Sequence, residues 1–390
     1  MMRKNLFLVP LLCIGLFCGC SKSDYYEVSY KKVEATCTTE GYIEHTMNNG
    51  YVYRDNITPY APHTYKSIEI GGEEGISYNI CNVCGHLEYN FVDVEVNTDV
   101  VIDYNREKPV FTGHKHMAVS MIIETTPDNA IIAMRKAEAN GAHGFMIYLT
   151  ALNPEYWNLQ DLERIMYCTN KPVLVIAYNG TFAGNTVSQS AQDFANLLKL
   201  GVQAGASAVD MPGYLFCNNY NTLVSENGTY KQQYIDDGYD MTFLNANPKE
   251  IALNPQTIAY QQNLVKEIRD LGAEVLYSAH VGVEMTAEET ISAAKFIEEA
   301  IGVDVVKLVL SGSSKETVIE HLKACMILER ELGIKFSVHG QSTLSRLMCP
   351  MFGGYIAFCV NEYTSAETNL QIDLATMIAI LESPEFSGNS

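Results

Sequence analysis

Eight times between residues 115 and 385 a short apolar run gives way to an amphipathic stretch, then to the next apolar run. The apolar runs predict strands over 117–123, 144–149, 172–177, 206–211, 274–280, 305–310, 335–339 and 355–360. Helices are predicted between them at 127–140, 159–168, 190–204, 257–271, 287–301, 315–332 and 343–351, with 370–381 closing the series. Most of these helices run into Gly or Asn before the next strand, the usual left-handed stop. Near-continuous apolar strands separated by helices mean a parallel sheet covered on both faces. Eight such units favour an α/β fold of the closed (β/α)₈ (TIM) barrel type over an open doubly wound sheet. No Gly-x-Gly-x-x-Gly follows the first strand, which argues against a dinucleotide fold.

The rest of the chain has a different texture. Arg3 and Lys4 precede an apolar run from Leu6 to Phe17, then Gly19-Cys20-Ser21. This is a secretory leader over residues 1–19, too short to remain as a spanning helix. Cys20 after a small residue matches a lipidation site, so the expected product is an exported, lipid-anchored protein facing the cell surface or periplasm. Ordinary signal cleavage, with Cys20 a bystander, is the alternative. A tether is expected over 20–32. Residues 33–108 then form a small module rich in Tyr, Gly, Asn and Thr, with strand-like alternation and no amphipathic helix. The barrel is expected over 115–385. One connection within it, 213–256, is out of scale for a compact barrel and follows a strand end, which puts it on the catalytic face as a lid or substrate wall. The net charge of −20 excludes nucleic acid and anionic membrane surfaces as partners. A homodimer is the only protein partner expected.

Chemistry concentrates on two predicted strands. In Val303-Asp304-Val305-Val306-Lys307-Leu308-Val309 the alternation puts Val303, Val305, Lys307 and Val309 on one face. A lone lysine among valines is costly when charged, and burial favours the neutral amine that attacks a ketone to give an imine. A lysine snorkelling to the rim is the competing reading. His280 ends the preceding strand, so the two groups are neighbours, and imidazole both takes and gives protons near neutral pH. His339 ends strand seven on the same face, either as a pocket residue or as a rim histidine bonded to backbone.

Ser278-Ala279-His280, then Asp304-Val305-Val306-Lys307-Leu308 one helix later, resembles type I 3-dehydroquinate dehydratase. Ser345-Arg346 after strand seven, and Phe352-Gly353 and Ser365-Ala366 around strand eight, extend the resemblance from 117 to 381. It implies Lys307 as Schiff-base lysine and His280 as general acid and base. It also implies Arg346 on a substrate carboxylate and Ser365 on a closing loop, with no cofactor for the barrel. The chain departs from that pattern where the family carries its other charged contacts. Met146 and Tyr148 stand in strand two for Glu and Arg, Tyr178 stands in strand three for Arg, and Met211-Pro212 stands where a Glu pairs with the histidine. The last loop reads Ser365-Ala366-Glu367-Thr368-Asn369. Ser278, Tyr148, Tyr178, His339 and Asn369 are therefore expected to build a different pocket around a small oxo-acid or related carbonyl compound, with dehydration or retro-aldol cleavage as the reaction.

In the small module, Ala35-Thr36-Cys37-Thr38-Thr39-Glu40-Gly41-Tyr42, Pro62-His63 and Cys81-Asn82-Val83-Cys84-Gly85 resemble cysteine-containing repeats of Gram-positive surface proteins. Cys37, His63, Cys81 and Cys84 supply three thiolates and one imidazole, a structural zinc set, with His86 as a spare. A Cys81–Cys84 or Cys37–Cys84 disulfide is the alternative for an exported chain. Two further functional readings stand beside the lyase. One is a catalytically inactive barrel binding solutes or carbohydrate at the surface. The other is a zinc-module adhesin with the barrel as spacer.

Overall fold

The computed structural model describes residues 26–37, 39–58, 61–62, 64–69, 77–83, 87–90, 98, 111–182, 185–217, 227–361, 371–383 and 386. The leader with Cys20, and His63, Cys84, His86, Ser365 and Asn369, lie outside the described residues. The chain divides into two compact units, Met1–Val92 and Asp93–Ser390.

The first unit holds two three-stranded antiparallel sheets. One is Glu27–Val33, Gly41–Met47 and Val52–Thr58, and the other is Tyr65–Glu69, Ser77–Cys81 and Leu87–Asn90. The first of these strands corrects the expected tether over 20–32. Val28, Tyr30 and Lys32 alternate with Ser29 and Lys31, a β-branched and aromatic period of two, and the segment pairs with Gly41–Met47. In register across that sheet, Tyr30, His45 and Tyr53 stand side by side, with the His45 ring stacked on Tyr53 at 4.7 Å. The carboxylates of Glu27 and Asp55 take one ring nitrogen each, and those hydrogen bonds raise the His45 pKa above its ordinary value.

In the second unit eight parallel strands alternate with eight helices. The strands are β1 (Met117–Ile122), β2 (Gly144–Tyr148), β3 (Val173–Ile176), β4 (Ala208–Pro212), β5 (Glu274–His280), β6 (Val305–Val309), β7 (Phe336–His339) and β8 (Ile356–Val360). The helices are α1 (Pro127–Ala139), α2 (Leu159–Met166), α3 (Ala191–Gln203), α4 (Pro255–Asp270), α5 (Ala287–Ile301), α6 (Lys315–Ile327), α7 (Thr343–Met351) and α8 (Leu374–Leu381). Hydrogen bonding runs in the order β7-β6-β5-β4-β3-β2-β1-β8. The ring closes at its floor, where Tyr355 N donates to Phe336 O at 2.8 Å and Ser337 Oγ to Ile356 O at 2.9 Å. The upper end of β8 pairs with a two-residue strand, Ile372–Asp373, that leads into α8.

Local sequence explains these boundaries. Every helix of the ring opens on a Ser, Thr, Asn or Asp whose side chain accepts a backbone N–H of the first turn, from Thr126 before α1 to Asp373 before α8. Before α5 this becomes a full capping box between Thr286 and Glu289. The strands carry two apolar faces, as a doubly covered sheet requires. Met117, Val119, Met121, Ile356, Phe358 and Val305 pack inside the ring, while Ala118, Ile122, Ala357, Cys359 and Val306 pack against the helices. Phe111 joins the inner set, its N–H held by the Glu274 carboxylate at the start of β5. The same alternation turns Lys307 inward with Val305.

The long connection after β4 adds a helix, Asn227–Asp236, and a 3₁₀ turn, Thr242–Asn245. Phe243 and Leu244 bury against the helices, and Phe243 N bonds Ser292 Oγ of α5 at 3.1 Å. Its two ends meet at Tyr277, an outward residue of β5. The Tyr277 hydroxyl donates toward the carbonyls of Gly213 (3.2 Å) and Glu250 (3.1 Å) and accepts from Ala252 N.

Candidate active site

A cavity of about 420 Å³ opens inside the ring at the C-terminal ends of the strands. Its lining divides by strand. Met121, Met146, Tyr148, Tyr178 and Tyr214 come from the β1–β4 side, and His280, Lys307, His339 and Arg346 from β5, β6, β7 and α7. The structure thus brings six of the sequence-predicted site residues to one place: Lys307, His280, Arg346, Tyr148, Tyr178 and His339.

Lys307 is inside the barrel but it is not the lone amine that its valine neighbours predict. Its Nζ lies 2.8 Å from Asp210 Oδ2, with side-chain exposures of 5% and 0%. Asp210 occupies the inward register of β4 with Ala208, so two strands of the ring share one buried ion pair. The second oxygen, Asp210 Oδ1, is buried with no hydrogen-bond partner. Phe358 of β8 lies under the Lys307 Nζ at 4.4 Å, in cation–π geometry. A buried charge of either sign is expensive alone, and the pair with its aromatic floor offsets part of that penalty. The signal for Asp210 was present in the alternation of β4, which puts an acid on the inner face two residues before Pro212.

His280 ends β5 at the mouth, 42% exposed. Its Nδ1 is 3.0 Å from Glu250 Oε2, and the same oxygen accepts its backbone N–H at 2.7 Å. A carboxylate on Nδ1 requires the proton there, which leaves Nε2 with the lone pair. The histidine's carboxylate partner is therefore present, carried on the long connection rather than on β4. Glu250 sits at φ +58, a left-handed conformation that a non-glycine residue adopts at a cost of about 1 kcal/mol. The Tyr277 anchor holds it there. Gly213 is required at the other root, because a Cβ would come within 1.9 Å of the Glu250 carbonyl oxygen. Sequence spacing could not identify Glu250, which lies 38 positions beyond β4 in an aperiodic stretch.

The remaining predicted residues take distinct places. Ser278 is fully buried and does not line the cavity, which corrects its expected substrate contact. Its inward position lies below the mouth, where its Oγ bonds the Tyr178 hydroxyl at 2.9 Å. Burial first, then the negative charges of Asp210 and Glu250, push the Tyr178 phenol well above its ordinary pKa. Its ring packs 6.4 Å from Tyr148, 6.0 Å from Tyr214 and 5.7 Å, edge-on, from His280. Arg346 is buried with Nη1 on Gln371 Oε1 at 2.7 Å and Nε without a partner. Burial lowers its pKa to about 10. No described carboxylate forms an ion pair with it. His339 is held well below the ordinary imidazole pKa, by burial first and then by Arg346 and Lys307 nearby. It stands in the site as a neutral ring against Phe358, at 5.9 Å.

In the N-terminal unit, the Cys37 and Cys81 sulfurs lie 3.6 Å apart. The other two residues of the expected zinc set, His63 and Cys84, lie outside the described residues. No cluster of three metal-binding side chains is present among the described residues.

No family model and no curated protein matches the chain. Solved structures similar to it include a 3-dehydroquinate dehydratase from Geobacillus kaustophilus HTA426, at 14% identity over 68% of this chain and 91% of that one, with a TM-score of 0.48. A type I 3-dehydroquinate dehydratase from Clostridium difficile bearing covalently modified comenic acid matches at 16% identity over 69% and 92%, with a TM-score of 0.49. The Enterococcus faecalis 3-dehydroquinate dehydratase matches at 13% identity over 73% and 98%, with a TM-score of 0.48. Likeness at this level says nothing of activity.

Proposed function

We propose that this protein is a lyase that forms an imine between Lys307 and a small oxo-acid or related carbonyl substrate. The observation that carries the reading is the buried amine of Lys307 facing a cavity also lined by His280, whose Nδ1 is fixed by Glu250. The amine, after passing its proton to Asp210, attacks the carbonyl carbon; Asp210 returns that proton to the carbinolamine hydroxyl, which leaves as water, and a cationic iminium then stands in place of the ammonium. Asp210 is then counter-ion to both states, so the buried charge balance does not change along the path. His280 Nε2 removes the proton next to the iminium carbon to give an enamine, and returns it to a departing β-hydroxyl, which leaves as water. A second water hydrolyses the iminium, releasing product and restoring Lys307. Retro-aldol cleavage proceeds from the same iminium when a carbon–carbon bond lies in the β position. Arg346 holds a carboxylate end, for which guanidinium is suited.

Incubation with oxo-acids and borohydride, read by intact mass, tests this reading. The wild type gains the mass of one reduced adduct, and Lys307→Ala gains none. Equal labelling of both would remove the imine from consideration. The inactive, solute-binding barrel is the second reading, and the ion pair that occupies Lys307 favours it. A ligand that raises the melting temperature without ever being trapped or turned over would decide for it. Export with a lipid on Cys20, and a structural zinc on Cys37, His63, Cys81 and Cys84, belong to the same proposal.

A further inference from the structure

The two sides of the cavity ask for different halves of a ligand. On the β5–β7 side are an amine, two imidazoles and a guanidinium. Arg346 is the one buried cation there that no described carboxylate neutralises, and its Nε has no partner. The β1–β4 side is built from Met121, Met146, Asn179 and the rings of Tyr148, Tyr178 and Tyr214. Those rings follow one another at 6.4 and 6.0 Å. Two of the phenols are engaged within the protein: Tyr178 with Ser278, and Tyr214 as acceptor from Asn179 N at 3.3 Å. Beside Asn179 and the Tyr148 hydroxyl, this wall is mostly flat π surface and thioether.

We propose that the substrate is a monocarboxylic oxo-acid with a planar, aromatic or conjugated body. Its carboxylate lies on Arg346, its carbonyl at Lys307, and its body lies along the tyrosine wall. The inference rests on the imine reading and narrows it. A saturated polyol would press hydroxyls against rings and methionines, and each one left without a partner weakens binding by roughly tenfold. Removing the carboxylate leaves the buried guanidinium unpaired and is worse still.

The test measures the concentration giving half-maximal borohydride trapping for three carbonyl compounds on the full chain. They are an aryl oxo-acid such as phenylpyruvate, a polyhydroxylated oxo-acid of similar size, and an aryl ketone lacking the carboxylate. The aryl oxo-acid is expected to half-saturate at least tenfold below the other two. Tyr148→Leu, checked for folding by its thermal melt, should narrow the gap to the polyol acid, and Arg346→Gln the gap to the ketone. If the polyhydroxylated acid traps as well as or better than the aryl acid, the aromatic assignment is overturned and the lysine chemistry stands. If none of the three is trapped, the imine reading falls and this inference falls with it.

Discussion

The barrel and the N-terminal sheet are built from the same alternation of side chains, and they use it to opposite ends. Every residue of β1, β2, β3, β4 and β8 is buried, whereas every residue of Val52–Thr58 is exposed. A strand covered on both faces draws its stability from apolar area removed from water, about 1.5–3 kcal/mol for a full Leu or Ile side chain. A three-stranded sheet with one edge strand wholly exposed and its middle strand only half-buried has less of that to draw on, and a cross-link, a metal or a partner would add to it. That contrast predicts different responses from the two units, and four perturbations probe it.

The largest effect is expected from the sulfur site of the first unit. If zinc closes Cys37 and Cys81 with their two companions, metal binding contributes on the order of 10 kcal/mol. Metal analysis should then find one zinc per chain, and a chelator should melt the module while Lys307 still traps a ketone. No zinc, together with a mass two hydrogens lower in the absence of reductant, would replace metal with a disulfide.

Next is Asp210→Asn. It leaves the Lys307 ammonium buried without its carboxylate, a loss of about 3–5 kcal/mol. The barrel transition in a thermal melt should fall accordingly and the module transition should stay in place. An unchanged barrel melt would show that the pair contributes nothing to the fold.

Acid separates the units by sign. Burial holds His321 at a pKa of about 4 and His339 well below its usual value, so the barrel favours the neutral rings. A depressed folded pKa means stability present above about pH 6.5 and lost as pH falls toward 4. For His321 alone that reaches about 3 kcal/mol. His45 in the module is raised, so its contribution is complete below about pH 6.5 and is lost as pH climbs through the folded value. Between pH 7 and 5 the barrel should weaken and the His45 contact should not. A barrel melting point that rises on acidification would contradict this assignment.

The smallest effect is expected from Glu250→Gln, which keeps the shape and removes the charge facing His280. Turnover should drop by roughly 10–100-fold, with little change in melting and with imine trapping preserved. Loss of trapping as well would move Glu250 from the histidine to the lysine.

Much of the barrel is legible in the sequence. The helices and strands follow from an unbroken change of period between 3.6 and 2, and Lys307 and His280 from their positions on adjacent strand ends. Asp210 was readable in principle, because β4 obeys the same alternation as β6. Met211-Pro212 fills the place where the resemblance calls for a glutamate, and the acid stands one residue earlier. Glu250 was not readable. Nothing local marks a residue whose place depends on a phenol from β5, a glycine at 213 and a left-handed turn. Gln371 on Arg346 is of the same kind, delivered by the two-residue strand beside β8.

The turn that carries Glu250 has one more effect. Strand ends in a ring are stiff, and a group mounted there cannot be withdrawn without breaking the ring. A carboxylate on a detour of the chain, held by the Tyr277 hydroxyl, by Lys249 N on Val281 O and by the His280 N–H, can be pulled aside while the staves stay put. The imidazole would then lose its rail and rotate freely, and the amine below would keep its partner. Selection or a regulator could thus tune the proton step through residues 213–256 alone, sparing the architecture that shields the lysine.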